Sequence, residues 1–398
     1  MHDPGRLVTL VLVRPDGGLV GSLPPFPVDT PWWQDAESVV RAAREAHGAR
    51  VTVLRLLEAD RPMPHGGSVT YLAEVLGDIV AQPWNGRLDD HPLRLPYARP
   101  AGPAADLAWA EALLAERGMR LIGPAEQVRT WNLSSLWRLR VAGQVVWLKV
   151  VPRFFAHEGP MLERLHDQAV PDLIAHEGGR VLLAEIPGAD LYDPSLAQML
   201  DMVALLVGIQ QKWISRADEL LALGLPDWRA PALSAAIRSV MQRVASELDA
   251  DDRSTLQRFA AGLNDRFGAV RACGLPDTLV HGDFHPGNVR GDVTRLVLLD
   301  WGDCGIGHPL LDESAFRDRI PAHVVASVGE RWHAEWRRAV PGSDPQRASA
   351  LLAPVAAARQ AVTYQGFLDG IEPSEHPYHR QDPAERLRRT AALARAES

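Results

Sequence analysis

The stretch that decides the fold is His281-Gly282-Asp283-Phe284-His285-Pro286-Gly287-Asn288, followed shortly by Leu296-Val297-Leu298-Leu299-Asp300-Trp301-Gly302. Transfer of a phosphoryl group asks for one carboxylate near the accepting hydroxyl and for oxygen ligands to the metal ions that neutralise the phosphates. Asp283, Asn288 and Asp300 offer that set. The apolar run ahead of Asp300 reads as a strand that would deliver its carboxylate to a strand end. Alone, His-Gly-Asp would read as a tight turn with Asp283 capping a backbone donor. The turn, the spaced asparagine, the strand and the Asp-Trp-Gly occur in order, and that order favours catalysis. His285 reads as a residue that packs and hydrogen-bonds within the turn.

Outward from this segment the periodicity changes twice. Leu196 to Arg216, Ala232 to Leu248 and Ser254 to Ala272 are long, Ala/Leu-rich and helical in period. On the amino-terminal side, Gln127 to Asn132, Leu136 to Val141 and Val145 to Val151 predict three antiparallel strands. His157 to Leu165 predicts a helix, and Arg180 to Ile186 another strand that ends at Pro187-Gly188. Only two lysines occur, Lys149 and Lys212, against 40 arginines. A lysine in so arginine-biased a chain marks a place for a compact ammonium, which points to Lys149.

With these residues in view, the chain from about residue 120 onward resembles the aminoglycoside phosphotransferase and choline kinase-like family. Asp283 and Asn288 have the spacing of the protein-kinase catalytic loop, and Asp300-Trp301-Gly302 stands in place of its metal-binding Asp-Phe-Gly. The absence of a long activation segment after Gly302 argues against a protein kinase. The resemblance implies an α+β, two-lobed protein kinase-like fold, with an antiparallel sheet in the N-lobe (123–190) and a mainly helical C-lobe (191–398). It makes Asp283 the catalytic base or hydroxyl-orienting residue and gives magnesium to Asn288 and Asp300. Lys149 would contact the α- and β-phosphates and be fixed by Glu158. Ser134 and Ser135 would lie in the phosphate-covering loop, here without glycine, and Glu185-Ile186 would form the hinge whose backbone meets adenine. Asp312 reads as a brace beneath the site. Between Tyr364 and His379, the acidic Asp369, Glu372 and Glu375 lie close to Phe367 and Tyr378; this segment reads either as an acceptor-binding loop or as a solvated acidic one.

The first hundred residues carry a second resemblance. Arg41 to Gly48, RAAREAHG, is similar to the Nudix helix, yet Ala42 and Ala46 stand where acidic metal ligands belong. The expectation is a small α/β Nudix-like domain over 1–100 without diphosphate hydrolase activity, with an ordinary amphipathic helix as the other reading. A linker helix over 101–122 would follow.

Composition narrows the partners. A net charge of -8 argues against nucleic acid. The longest apolar runs, Val8 to Val13 and Met202 to Ile209, are too short to span a membrane. Two cysteines fit a reducing cytosol, and His2, Asp3 and Pro4 lack the pattern of a secretory signal, so a cytoplasmic location is expected. The predicted function is an ATP- and Mg2+-dependent phosphotransferase that moves the γ-phosphate to a hydroxyl of a small molecule: an aminoglycoside-like antibiotic, a sugar or an amino alcohol. GTP stays open as donor. The alternative is a nucleotide-binding pseudoenzyme with a partner-binding amino-terminal domain; the joint presence of Lys149, Glu158, Asp283, Asn288 and Asp300 counts against it.

Overall fold

The computed structural model describes residues 5–61, 65–292 and 295–397. His2, Asp3 and Pro4 lie outside them. The chain divides into two compact units: Met1–Gly159 with Leu173–Glu185 and Gly366–Gln381, and Pro160–Asp172 with Ile186–Gln365 and Asp382–Ser398.

In the first unit, β1 (Arg6–Val13), β2 (Leu19–Ser22), β3 (Phe26–Val28), β4 (Arg50–Ala59) and β5 (Gly67–Leu76) form one sheet of order β2-β1-β5-β4, with β3 also on β1. The apolar run of β1 makes sense because both of its faces are buried. Val8, Leu10 and Leu12 join one core with Trp33, Val39 and Tyr71, while Val11 and Val13 meet Leu54 and Leu72 on the other face, beside Trp84 and Leu88. The helix α1 (Glu37–His47) is served at its start by Asp35, which accepts from the Ser38 N–H at 3.2 Å and the Ser38 hydroxyl at 2.7 Å. Gly48 ends it at φ 65°, a left-handed conformation that glycine adopts without strain.

The second sheet contains β6 (Glu126–Trp131), β7 (Ser134–Val141), β8 (Gln144–Val150), β9 (Leu173–Glu177) and β10 (Arg180–Ala184), in the order β6-β7-β8-β10-β9. The helix α2 (Gly102–Glu116) places Ala110 and Leu114 on Leu139, Val146, Leu148 and Leu182. It is more than a linker: buried Asp106 accepts from Arg180 Nε at 2.8 Å, which fastens the helix to β10. A further correction concerns the boundary near residue 100, which does not separate two compact units. The first sheet and the second belong to the same one, because backbone and side-chain hydrogen bonds run from residues 34–36 and Val53 onto β6. The helix α3 (Glu158–Arg164) starts at the end of this stretch.

The second unit is mainly helical, which with the sheets above gives the chain its α+β class. Its elements are β11 (Ala189–Asp190), α4 (Leu196–Lys212), α5 (Ala217–Ala222), α6 (Ala230–Val244), α7 (Ala250–Ala261), α8 (Leu263–Arg271), β12 (Thr278–Val280), β13 (Val289–Gly291), β14 (Leu296–Leu298), β15 (Gly305–Gly307), α9 (Leu311–Arg317), α10 (Val325–Ala339), α11 (Pro345–Gly370) and α12 (Asp382–Ala396). Ser195 and Gln198 form a reciprocal capping box at the start of α4. The run predicted as one helix over 254–272 is two, α7 and α8, parted at Gly262. Two small sheets, β11-β13-β14 and β12-β15, carry the segment from His281 to Gly302. Among the described residues no helix is long and apolar enough to cross a membrane.

Candidate active site

In the first unit, Lys149 sits in the middle of a sheet, with Leu136 of β7 on one side and Val181 of β10 on the other. Its Nζ lies 2.7 Å from Glu158 Oε1 at the start of α3; the side chains are 15% and 3% exposed. So little exposure makes this a costly pair to desolvate, and its value is in fixing where the ammonium points. Glu185 follows β10, and its carboxylate accepts from the indole N–H of Trp147. The chain passes from one unit to the other between Glu185 and Ile186, and the Ile186 carbonyl accepts from Arg290 Nε at 2.8 Å.

Ser134 and Ser135 are not loop residues. Both belong to β7, and the turn is the two-residue tip Asn132-Leu133. Ser135 is buried and its hydroxyl accepts from Trp137 Nε1 at 3.0 Å; the Ser134 hydroxyl accepts from Trp131 Nε1 at 3.1 Å. Two tryptophans thus engage the hydroxyls of the serines whose backbone N–H groups the sequence reading offered to phosphate.

In the second unit, β12 leads into the loop. Gly282 has φ 91°, and a Cβ there would stand 1.9 Å from the Asp303 carbonyl oxygen, so no other residue fits. Asp312, fully buried at the start of α9, accepts from the N–H groups of His281 at 2.9 Å and Gly282 at 2.8 Å and from Gln210 Nε2 at 3.0 Å. Burial raises its carboxyl to about 6 against the pull of those amides and of Arg359. It braces the loop from below. Arg359 of α11, also buried, donates to the Gly282 carbonyl at 2.6 Å and lies 4.4 Å over the ring of Trp228. His281 is fully buried with Nε2 on the Leu299 carbonyl at 2.8 Å, and burial lowers its pKa to about 4, so it is neutral at pH 7.

Asp283 emerges from this frame. Asn288 Nδ2 donates to the Asp283 carbonyl at 2.9 Å and to its Oδ2 at 3.2 Å. His285 Nδ1 accepts from the Gly287 N–H at 3.0 Å, which places the ring proton on Nε2, 3.4 Å from Asp283 Oδ2. Burial pushes the Asp283 carboxyl up, but the His285 hydrogen bond and the positive charge of Arg319 outweigh it and hold the group below the usual carboxylate range. The carboxylate is therefore ionised and aimed. Asp300 follows β14 in the left-handed region at φ 61° and is exposed; aspartate is one of the few residues besides glycine that adopts this conformation.

The donor set suits magnesium. Both donor contacts of the Asn288 amide go to Asp283, which leaves Asn288 Oδ1 as an acceptor, and the Asp300 carboxylate is exposed. Magnesium takes one or two carboxylate or carbonyl oxygens from a protein and completes its shell with phosphate and water. Consistent with so sparse a set, no cluster of three or more His, Cys, Asp or Glu occurs among the described residues.

The acidic segment near the carboxyl terminus does something else. Glu372 is buried, bonded to Arg94 at 2.8 Å with Arg55 at 3.5 Å, and Glu375 accepts from the Leu56 N–H at 2.7 Å. Both carboxylates are engaged within the first unit, so neither is a solvated surface group and both serve the packing of this unit. Asp369 is exposed near the end of α11. Sequence reasoning missed Arg359, although a lone arginine amid the apolar Leu351–Val362 run is a signal for a buried partner. His285 hydrogen-bonds within the turn, as its sequence reading expects.

Residues 127–347 match the sequence model of the phosphotransferase enzyme family. The chain belongs to that family. No curated protein matches this phosphotransferase. Among solved structures it is similar to a macrolide 2'-phosphotransferase type I, at 19% identity over 71% of this chain and 96% of that one, with a TM-score of 0.52. It is also similar to the GDP complex of an aminoglycoside 2'-phosphotransferase-IIIa (14%, 74% and 99%, 0.51) and to a choline kinase from Streptococcus pneumoniae (12%, 74% and 99%, 0.50). At these identities the likeness concerns the fold, and it supports the kinase-like reading. The family match begins at residue 127 and leaves the Nudix-like resemblance of the first hundred residues without support.

Proposed function

We propose that the protein transfers the γ-phosphate of a nucleoside triphosphate, with magnesium, to a hydroxyl group of a small molecule. The observation that carries this reading is the Asp283 carboxylate, ionised, oriented by His285 and Asn288, and built on a loop that Asp312 and Arg359 hold from behind. Phosphoryl transfer leaves little covalent work to the protein, so alignment of the acceptor is what such a carboxylate contributes. The acceptor oxygen forms a bond to the γ-phosphorus, the bond from phosphorus to the β,γ-bridging oxygen breaks, and the hydroxyl proton passes to Asp283. A carboxylate of low basicity suits a proton that leaves late. Lys149, fixed by Glu158, would hold the α- and β-phosphates. Asn288 and Asp300 would hold magnesium, which supplies charge neutralisation when bound. Glu185-Ile186 would meet the base.

Relatives of this fold are named for phosphorylating macrolides, aminoglycosides and choline, and one of them is a GDP complex. A hydroxylated antibiotic or amino alcohol is accordingly the acceptor class to test first, with GTP tried beside ATP. The test is an ADP- or GDP-release screen over such compounds, paired with calorimetric nucleotide titrations. Asp283→Asn should lower turnover on the order of 100-fold or more while leaving ATP binding near wild type. Asp300→Asn should weaken magnesium-dependent ATP binding as well. If no acceptor stimulates release and Asp283→Asn matches the wild type, the protein binds nucleotide without being an enzyme.

A further inference from the structure

The outer strand of the kinase-like sheet, β6, would on its own present an open edge, and an open edge frays or pairs with foreign strands. Here the loop 34–36 and β4 of the first sheet cover it. Ala36 N–H donates to the Val128 carbonyl at 3.1 Å and Thr130 N–H to the Gln34 carbonyl at 3.0 Å. Gln127, itself buried, adds its side-chain amide to β4: Oε1 accepts from the Val53 N–H at 2.9 Å and Nε2 donates to the Val53 carbonyl at 2.7 Å. The far end of the hairpin is held as well. Tyr97 OH donates to the Trp131 carbonyl at 2.8 Å, and the Trp131 ring packs 5.6 Å from both Tyr378 and His379. Asn132 at the tip is fully buried, with Nδ2 3.5 Å from the Glu375 carbonyl and Oδ1 3.3 Å from His379 Nε2. Edge, side chain and tip are each tied to residues outside the kinase-like sheet.

We propose that the first sheet with its 34–36 loop, Tyr97 and the segment 371–380 are a working part of the nucleotide-binding machinery: they hold β6 and β7, whose Leu136 pairs with Lys149 on β8, in place beside that ammonium, and Gln127 is the positioning residue. This rests on the reading above, in which the sheet bearing Lys149 holds the nucleotide. A hairpin fixed in advance spares the nucleotide the entropy of ordering it, so affinity falls as the ties are cut.

The experiment measures ATP dissociation constants by calorimetry in the presence of magnesium, together with hydrogen exchange of the full chain. Gln127→Met removes both bonds to Val53 at nearly constant volume and should weaken ATP binding about tenfold. Amides of 126–136 should exchange faster in this variant and recover protection when ATP is added, while those of β8 stay as in the wild type. Tyr97→Phe cuts one bond, should fold in any event, and should move affinity the same way by a smaller factor. Should Gln127→Met not fold, Tyr97→Phe decides. A lowered melting temperature with unchanged ATP affinity would make the first sheet a stabilising attachment only and overturn the proposal. Lys149→Met separates the two levels: if it binds ATP like the wild type, the assignment of the sheet to nucleotide fails, whatever the hairpin variants do.

Discussion

The loop 281–288 and the segment 371–380 are alike on paper. Each is short, irregular and mixes carboxylates with histidine and aromatic residues, and each belongs to a stretch the sequence offered as functional. In the first, buried groups are spent on the backbone: Asp312 and Arg359 satisfy the amides and a carbonyl of the turn, and the Asp283 carboxylate is left to Asn288 and His285. In the second, the carboxylates themselves are spent, Glu372 on two arginines and Glu375 on the Leu56 amide. An acidic residue becomes chemistry when its neighbours are satisfied by something else, and architecture when it does the satisfying.

The largest effect that could break this comparison comes from Gly282. Alanine there would combine a left-handed φ with a collision against the Asp303 carbonyl, so Gly282→Ala should cost on the order of 4 kcal/mol or more and abolish turnover. Chemical denaturation with a turnover assay checks it, and a well-folded active variant would mean the loop is less tightly framed than its contacts indicate. Next comes Glu372→Ala, which leaves Arg55 and Arg94 facing each other in a buried setting. It should cost about 3 kcal/mol, read as a shift in denaturation midpoint, while the folded fraction keeps its acceptor Michaelis constant. A raised Michaelis constant without loss of stability would return the segment to the substrate side.

The smallest effect sharpens the contrast by pH. Burial raises the Glu375 carboxyl to about 8 from an ordinary 4.5. The folded protein therefore binds the proton more tightly than the unfolded chain between these values. Stability from the neutral carboxyl is complete below about 4.5, declines as the pH rises toward 8, and is flat beyond. Glu375→Gln keeps an acceptor for Leu56 and should flatten the melting temperature over that window by a few degrees. An unchanged slope would place the titration elsewhere.

The local structure of the loop 281–288 was legible because its information is local: turn glycine, Asp-to-Asn spacing and the strand before Asp300 are all read within a score of residues. Strand and helix types followed for the same reason, with Gly262 the place where a continuous period hid a break. What escaped was pairing at a distance. Nothing near Gln127 announces that its side chain extends β4, and nothing near Glu375 announces Leu56, 319 positions away. Ser134 and Ser135 were misplaced for a subtler reason: a serine pair after a tryptophan reads as a turn unless the indoles that bind the hydroxyls are known to be there. Arg359 had a signal, a charge inside an alanine-rich helix, but its partner is a backbone carbonyl and carries no sequence mark.

With two lysines in 398 residues, the Lys149–Glu158 pair also gives the protein a chemical address. Amine-selective acylating reagents have little else to modify along the chain. The Lys212 side chain is 53% exposed and 3.5 Å from Asp167, whereas that of Lys149 is only 15% exposed and 2.7 Å from Glu158. Acylation should therefore proceed in two well-separated phases, the slow one reporting on a single ammonium in the middle of a sheet, so that mass spectrometry of two peptides follows events at that position without any engineered label.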